Sequence, residues 1–135
     1  SSLGCIEKIR LNPMAQILVV DDSAAIRNEV AAFLKSNNFT VETAVDGKDG
    51  LTKLKADRAI KLVISDVNMP NMDGLTMAEK VRSELGNQTV NIIMLTTEND
   101  PNMKNRGKAA GVKGWIVKPF NGANALGAIQ KLVAG

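Results

Sequence analysis

Five short apolar runs, separated by segments with helical spacing, constrain the fold more than any other feature of this sequence. The runs are rich in Val and Ile: QILVV (16–20), FTVETA (39–44), LVIS (62–65), NIIML (91–95) and GWIVK (114–118). Three of them are apolar almost throughout, which is typical of strands that are covered on both faces in a parallel sheet.

Helical stripes of apolar residues lie between these runs. They consist of Ile26, Val30, Phe33 and Leu34; of Ala78, Val81 and Leu85; and of Leu126, Ile129 and Val133. Asp46 predicts the start of a helix over 47–58, and Asp100 and Asn121 predict two further helix starts. Gly111 suits the left-handed residue that follows a helix. Five βα units therefore predict an open, doubly wound α/β sheet with right-handed crossovers and helices on both faces.

A chain of 135 residues suffices for one domain with a sizeable core. Residues 1–13 fit the pattern poorly, and we interpret them as a leader, artificial or native, before a domain over 14–135. Because the sequence stops after the fifth helix, we expect no attached output domain. The single Cys5, and the lack of a secretory signal or of an apolar run of ~20 residues, predict a cytoplasmic protein that binds no membrane.

The composition excludes several kinds of chemistry. Histidine and tyrosine are absent, so the chain holds no Ser-His-Asp triad, no histidine-ligated metal and no histidine phosphodonor of its own. The net charge is +3, and the densest basic patch, KNRGK (104–108), has no interleaved aromatic residues. We interpret that patch as a solvated helix face and expect no binding to nucleic acid.

Polar residues stand at four of the predicted strand ends. These are Asp21 and Asp22, Asp66, Thr96 and Thr97, and Lys118 with Pro119. Taken singly, each has an ordinary structural explanation, such as a helix cap, a strand-end threonine or a turn. In a parallel sheet, however, these ends share the edge where doubly wound folds bind ligands.

Taken together, the strand-end residues point to phosphoryl chemistry. Close carboxylates repel each other by up to about 4 kcal/mol per pair, and Lys118 together with Mg²⁺ would offset that repulsion. A carboxylate beside a lysine and Mg²⁺ can attack a phosphoryl group to form an aspartyl phosphate. Asp66 is the best nucleophile candidate because it lies on the central strand, whereas the adjacent Asp21 and Asp22 suit metal binding.

These residues also resemble a known family. The stretches ILVVDDS (17–23), ISDVNMPNMDG (64–74), MLTTEN (94–99) and KPF (118–120) are similar, in order and spacing, to the receiver domains of two-component response regulators. The resemblance covers about residues 14–134 and is strongest to the stand-alone, CheY-like chemotaxis branch. It implies the (βα)5 flavodoxin-like fold, with strand order 2-1-3-4-5.

The resemblance also implies a role for each matching residue. Asp66 is the phosphoacceptor, Asp22 binds Mg²⁺ directly, Asp21 binds it largely through water, and Asn68 adds its backbone carbonyl.

Further roles follow from the same resemblance. Thr96 hydrogen-bonds the phosphoryl group and signals its presence, while Lys118 pairs with the phosphoryl oxygens and forms a cis peptide bond with Pro119. Asn68 and Glu98 tune how fast the aspartyl phosphate hydrolyses.

One position departs from the family pattern. Trp115 stands where the switch aromatic is usually Tyr or Phe. It is either a packed strand residue or, as we favour from its position, the aromatic that turns inward when Thr96 moves. Because Trp is bulkier and lacks a hydroxyl group, this position puts the output partner in question more than the phosphorylation chemistry. Val67 replaces the tryptophan that the best-known chemotaxis members carry after the phosphoacceptor, and we expect this change to be neutral for the phosphorylation chemistry.

The sequence thus predicts a monomeric signalling switch rather than an enzyme. A histidine kinase, of the chemotaxis type, phosphorylates Asp66, and the surface of helix 4, strand 5 and helix 5 then binds a partner such as the flagellar motor switch. The alternatives are a phosphate sink, a phosphorelay intermediate, or a receiver cut from a longer regulator. A haloacid-dehalogenase-like phosphatase and a flavin carrier are remote alternatives: the first needs a second Asp where Asn68 stands, and the second needs an aromatic platform.

Overall fold

The computed structural model describes residues 14–97 and 100–135. The predicted leader, residues 1–13, lies outside this part of the chain. The strands are β1 (Ile17–Val20), β2 (Val41–Ala44), β3 (Leu62–Asp66), β4 (Asn91–Thr96) and β5 (Val112–Val117). The helices are α1 (Ala24–Ser36), α2 (Gly47–Ala56), α3 (Gly74–Ser83), α4 (Pro101–Ala109) and α5 (Gly122–Ala134).

The five strands form one parallel sheet in the order β2-β1-β3-β4-β5. This confirms the doubly wound fold and the strand order expected from the sequence. The central strand, β3, is buried along its whole length, and β1 is equally buried. Their continuous apolar runs therefore reflect strands that are covered on both faces.

Alternate strand residues feed two hydrophobic clusters, one on each face of the sheet. Leu18, Val63 and Met94 pack in the first cluster with residues of α2, α3 and α4. Ile17 and Ile64 pack in the second cluster with residues of α1 and α5. Covering both faces leaves the carboxyl edge of the sheet as the place where polar side chains can gather.

The predicted helix caps are present. Asp46, Asp100 and Asn121 each accept a backbone hydrogen bond at the start of α2, α4 and α5. Gly111, after α4, has φ of 77°. Within the part of the chain that the structure describes, none of the helices combines the length and the apolar character that a membrane span requires.

The helix predicted over 47–58 ends earlier, at Ala56. The side chain of Asp57 explains this end, because its carboxylate accepts hydrogen bonds from the backbone N–H groups of Ala15, at 2.9 Å, and Ala59, at 3.0 Å. Asp57 is buried and follows α2 in extended conformation. The same carboxylate thereby ties the entry to β1 to the α2–β3 connection.

A partly buried arginine fastens the connections at the opposite edge of the sheet. The Arg82 guanidinium, on α3, donates to the carbonyl oxygens of Asn87, Val90 and Ala110 at 3.0, 2.8 and 2.9 Å. A longer bond of 3.3 Å reaches the carbonyl of Gly111. Burial lowers the pKa of Arg82 below its usual value. One side chain therefore satisfies carbonyls of both the α3–β4 and the α4–β5 connections.

Candidate functional site

Three carboxylates meet at the carboxyl edge of the sheet. Asp21 and Asp22 directly follow β1, and Asp66 is the last residue of β3. Each offers an oxygen, and these oxygens all lie within 4.8 Å of one another. Asp21 and Asp66 are buried, whereas Asp22 is exposed. The structure thus brings together the acidic residues that the sequence places at neighbouring strand ends.

Lys118 contributes a positive charge to this cluster from the end of β5. Its ammonium nitrogen lies 3.3 Å from Asp66 Oδ1 and 3.5 Å from Asp21 Oδ2. Its backbone N–H donates to the carbonyl of Thr96 at 2.9 Å, which extends the pairing of β5 with β4 beyond the strand. The peptide bond between Lys118 and Pro119 is cis, as the resemblance implies. One ammonium therefore faces two carboxylates.

Backbone hydrogen bonds orient the two buried carboxylates. Asp66 Oδ1 accepts from the N–H of Val67 at 2.8 Å, and Asp21 Oδ1 accepts from the N–H of Ser23 at 2.9 Å. Asp21 Oδ2 is buried and accepts no hydrogen bond from any described residue, although it lies near Lys118. A buried carboxylate oxygen without a donor is costly unless a cation shares it.

The electrostatic balance at Asp66 opposes ionisation. Burial raises the pKa of Asp66 above its usual value, and the Asp21 carboxylate raises it further. The Lys118 ammonium and the Val67 N–H act in the opposite direction without cancelling the effect. The ionised Asp66 is therefore held in an environment that stabilises it less than water does, and an additional cation would correct this.

The β3–α3 loop is held in a fixed path beside Asp66. The Asn71 amide donates to the buried Asp46 carboxylate at 2.8 Å, and the N–H of Gly47 donates to the Met72 carbonyl at 3.1 Å. Asn71 has φ of 67°. These two bonds fasten the loop to the start of α2, and they join residues that are distant in sequence. The sequence pattern predicts Asp46 only as a helix cap and carries no signal of its pairing with Asn71.

The start of α3 explains the Asp73-Gly74 pair. Asp73 Oδ1 accepts from the N–H of Thr76 at 2.7 Å and caps the helix. The N–H of Gly74 donates to the Val67 carbonyl at 2.8 Å, and a Cβ atom at Gly74 would clash with the carbonyl of Asp66. The glycine lets α3 begin directly against the backbone of the carboxylate-bearing residue.

Three further predicted site residues belong to the part of the chain that the structure describes. Thr96, the last residue of β4, is buried, and Asn68, in the β3–α3 loop, is exposed. Trp115 lies on β5 opposite Met94 of β4 and packs, half-buried, against the first hydrophobic cluster. Glu98 lies outside the described residues.

Comparison with known proteins agrees with this geometry. The sequence model of the response regulator receiver domain matches residues 17–130. The chain belongs to the response regulator receiver family. Receiver domains are signalling switches of two-component systems that interact with histidine kinases and with downstream targets, and they generally bind Mg²⁺ at an acidic pocket.

Individual relatives support a CheY-like receiver. The chain is similar to the chemotaxis protein CheY4 of Vibrio cholerae, with 43% identity and a TM-score of 0.81 over 89% of this chain and 99% of that one. It is similar to Protein PilG of Pseudomonas aeruginosa, with 31% identity over 85% of this chain and 84% of that protein. A CheY-like receiver domain from Methanospirillum hungatei has a TM-score of 0.81 and 26% identity, over 90% of this chain and 95% of that one.

The acidic cluster of this receiver suits Mg²⁺. Its donors are oxygens, which hard divalent cations prefer, and one of them, Asp21 Oδ2, is buried without a hydrogen-bond donor among the described residues. The exposed Asp22 opens the cluster to solvent on one side, which suits an ion that keeps part of its hydration shell.

Proposed function

We propose that this receiver is a phosphorylation-activated switch in which Asp66 accepts a phosphoryl group from a phosphohistidine of a histidine kinase. The observation that carries the proposal is Asp66 itself, a buried carboxylate at the end of the central strand, 3.3 Å from an ammonium group. An Asp66 oxygen attacks phosphorus, the P–N bond breaks, and the leaving imidazole keeps that electron pair. The product is an aspartyl phosphate.

Lys118 and Thr96 act on the transferred group. Lys118 already faces Asp66, so its ammonium can pair with a phosphoryl oxygen bonded to that side chain. Thr96 ends β4, the strand next to β3, and its hydroxyl group donates to a second phosphoryl oxygen. The transferred group thereby gives these two side chains a new shared partner.

Asp21, Asp22, Asp66 and the backbone carbonyl of Asn68 form the proposed Mg²⁺ site. When bound, Mg²⁺ neutralises negative charge on the phosphoryl oxygens. The clustered carboxylates support this assignment, as does the buried Asp21 oxygen that accepts no hydrogen bond from a described residue. Asn68 and Glu98 are proposed to set the rate at which the aspartyl phosphate hydrolyses.

The surface of α4, β5 and α5 is the proposed output face. The charged side chains of this segment are all basic, because residues 101–135 contain no Asp or Glu. The basic residues are Lys104, Arg106, Lys108, Lys113, Lys118 and Lys131. A shallow groove of about 270 Å³, lined by residues that include Trp115, Val117 and Ala125, runs along this face. A partner that combines apolar side chains with acidic residues fits it.

We propose a monomer that acts in the cytoplasm in a chemotaxis-type pathway, with a motor switch protein as the output partner. The similarity to CheY4 supports this role. A phosphate sink or a relay intermediate is the second candidate, and it is favoured by Trp115, which departs from the Tyr or Phe usual at the switch position.

Phosphotransfer from a purified chemotaxis-type histidine kinase tests the proposal. The radiolabelled kinase should pass its phosphoryl group to the wild-type chain and to Glu84→Gln, an exposed carboxylate variant at the end of α3, but not to Asp66→Asn. Binding of the phosphorylated chain to a motor switch protein would then support the output role. Transfer without such binding would favour a sink or relay, and label on Asp66→Asn would contradict the assignment of Asp66.

A further inference from the structure

Trp115 lies against a glycine of α4. A Cβ atom built on Gly107 would lie 2.6 Å from Cζ2 and 3.3 Å from Cη2 of the Trp115 ring. The first distance is shorter than carbon atoms tolerate without movement of one partner. It would also lie 3.5 Å from Leu75 Cδ2, so the ring edge occupies a notch that α4 and α3 form together. The side chain that fills this notch is the one that departs from the family pattern.

The backbone gives no other reason for glycine at this position. Gly107 lies inside α4, where glycine weakens a helix relative to alanine. It is not among the glycines with positive φ, which are Gly86 and Gly111 in the described part of the chain. The close approach of the indole ring is therefore the feature that requires a residue without a side chain.

The inner face of α4 is small. Its buried residues are Met103 and Gly107. On the exposed side, Arg106 pairs with Glu79 of α3 at 2.8 and 2.9 Å and donates to the Thr76 hydroxyl at 2.9 Å. The contact with Trp115 therefore involves one of the two buried residues of this helix.

We propose that Gly107 and Trp115 form a size-matched pair in which the missing side chain of Gly107 allows a tryptophan to lie under α4. If the indole ring moved away, the space below Gly107 would be left unfilled. The position of α4 therefore depends on the position of Trp115. Gly107 is thus a positioning residue of the output face. The coupling to phosphorylation rests on the function proposed above, whereas the fit of the pair does not.

Gly107→Ala tests the fit through the only tryptophan in the chain. The added methyl group should displace the ring toward solvent, which shifts the emission maximum to longer wavelength and increases quenching by acrylamide. Gly127→Ala is the matched control, because Gly127 lies on α5 and an added Cβ there would meet no atom within 4 Å apart from its chain neighbours and the nearby backbone of its own helix. It should leave both properties unchanged. A Gly107→Ala protein with wild-type emission and quenching would overturn the pair.

A second background keeps the test decisive if Gly107→Ala alone folds poorly. In Trp115→Phe, the smaller ring lacks the Cζ2 and Cη2 atoms that oppose a Cβ at 107. In the Trp115→Phe background, Gly107→Ala should therefore raise the urea midpoint as much as Gly127→Ala does, because both replace a helical glycine. In the Trp115 background only Gly127→Ala should raise it. If Gly107→Ala raised the urea midpoint equally with Trp115 and with Trp115→Phe, the proposed pair would also be overturned.

A phosphorylation assay distinguishes a failure of the coupling between Trp115 and phosphorylation from a failure of the proposed function. With acetyl phosphate and Mg²⁺, Gly107→Ala should gain one phosphoryl group in intact mass, as the wild type does, but lose the change in tryptophan emission. If the wild type gains no mass, the proposed function fails. The tryptophan emission and the urea midpoints of the unphosphorylated variants still test the fit of Gly107 and Trp115. If both proteins gain mass and show the same emission change, the coupling is wrong.

Discussion

Replacing Asp66 by Asn should stabilise the folded protein at neutral pH in the absence of divalent cations. The side chain keeps nearly the same size and can still accept the hydrogen bond from the Val67 N–H. It loses the negative charge that the cluster accommodates poorly. A residue proposed to be essential for function is thus predicted to cost stability, which is common where polar groups are gathered for chemistry.

The distances in the site give the electrostatic energies that decide whether the Asp66 charge stabilises the fold. At an effective dielectric constant of about 20, the attraction between Asp66 and Lys118 at 3.3 Å is about 5 kcal/mol. The repulsion between Asp66 and Asp21, whose oxygens lie within 4.8 Å, is at least about 3.5 kcal/mol. The difference of about 1.5 kcal/mol is smaller than the several kcal/mol that burying an ion costs. We expect Asp66→Asn to raise the free energy of unfolding by about 1–2 kcal/mol at pH 7.5.

The dependence on pH follows from the raised pKa of Asp66 in the folded state. Below about pH 4, where an unfolded aspartate is protonated, Asp66 is neutral in both states and costs nothing. The cost develops as the pH rises through the folded-state pKa. Urea denaturation with EDTA should therefore show a gain that grows from pH 4 to pH 7.5. A gain independent of pH, or a variant less stable than wild type at pH 7.5, would refute this reasoning.

Three further predictions concern other parts of the molecule. Mg²⁺ at ten times its Kd should raise the free energy of unfolding by about 1.4 kcal/mol, measured by urea denaturation at constant ionic strength, and Asp22→Asn should reduce this gain. Arg82→Met should lower the free energy of unfolding by about 3 kcal/mol, because it leaves partly buried carbonyl groups without a hydrogen-bond donor. Wild-type stability of Arg82→Lys would contradict this account. Asp46→Ala should cost about 1 kcal/mol of cap energy at pH 7. Because hydrogen bonds lower the pKa of Asp46 in the folded state, this difference should shrink as the pH falls through that pKa, and a constant difference in urea midpoint would argue against it.

The fold and the centre of the site could be predicted because both depend on local pattern. Continuous apolar runs identify strands covered on two faces, and the parallel arrangement then places all strand ends at one edge. Asp21, Asp66 and Lys118 are each the last residue of a strand or the one after it. Their convergence follows from topology without any knowledge of side-chain contacts.

Other features depend on contacts between residues that are distant in sequence. The bond between Asp46 and Asn71 and the contact of Gly107 with Trp115 join different βα units. The end of α2 at Ala56 depends on a hydrogen bond from Ala15 to Asp57. No periodicity or cap signal in any one segment reports such contacts. A glycine within a helical pattern, as at Gly107, is the one local sign that a close approach was required.

Phosphorylation of Asp66 with simultaneous observation of Trp115 is the most direct test of the central proposal. Tryptophan emission and intact mass should be followed while Mg²⁺ and then acetyl phosphate are added, with Asp66→Asn as the control. We predict a gain of one phosphoryl group and a change in emission that require both additions and are absent in the variant. A wild-type protein that gains no mass under these conditions would contradict the proposal that this receiver is a phosphorylation-activated switch.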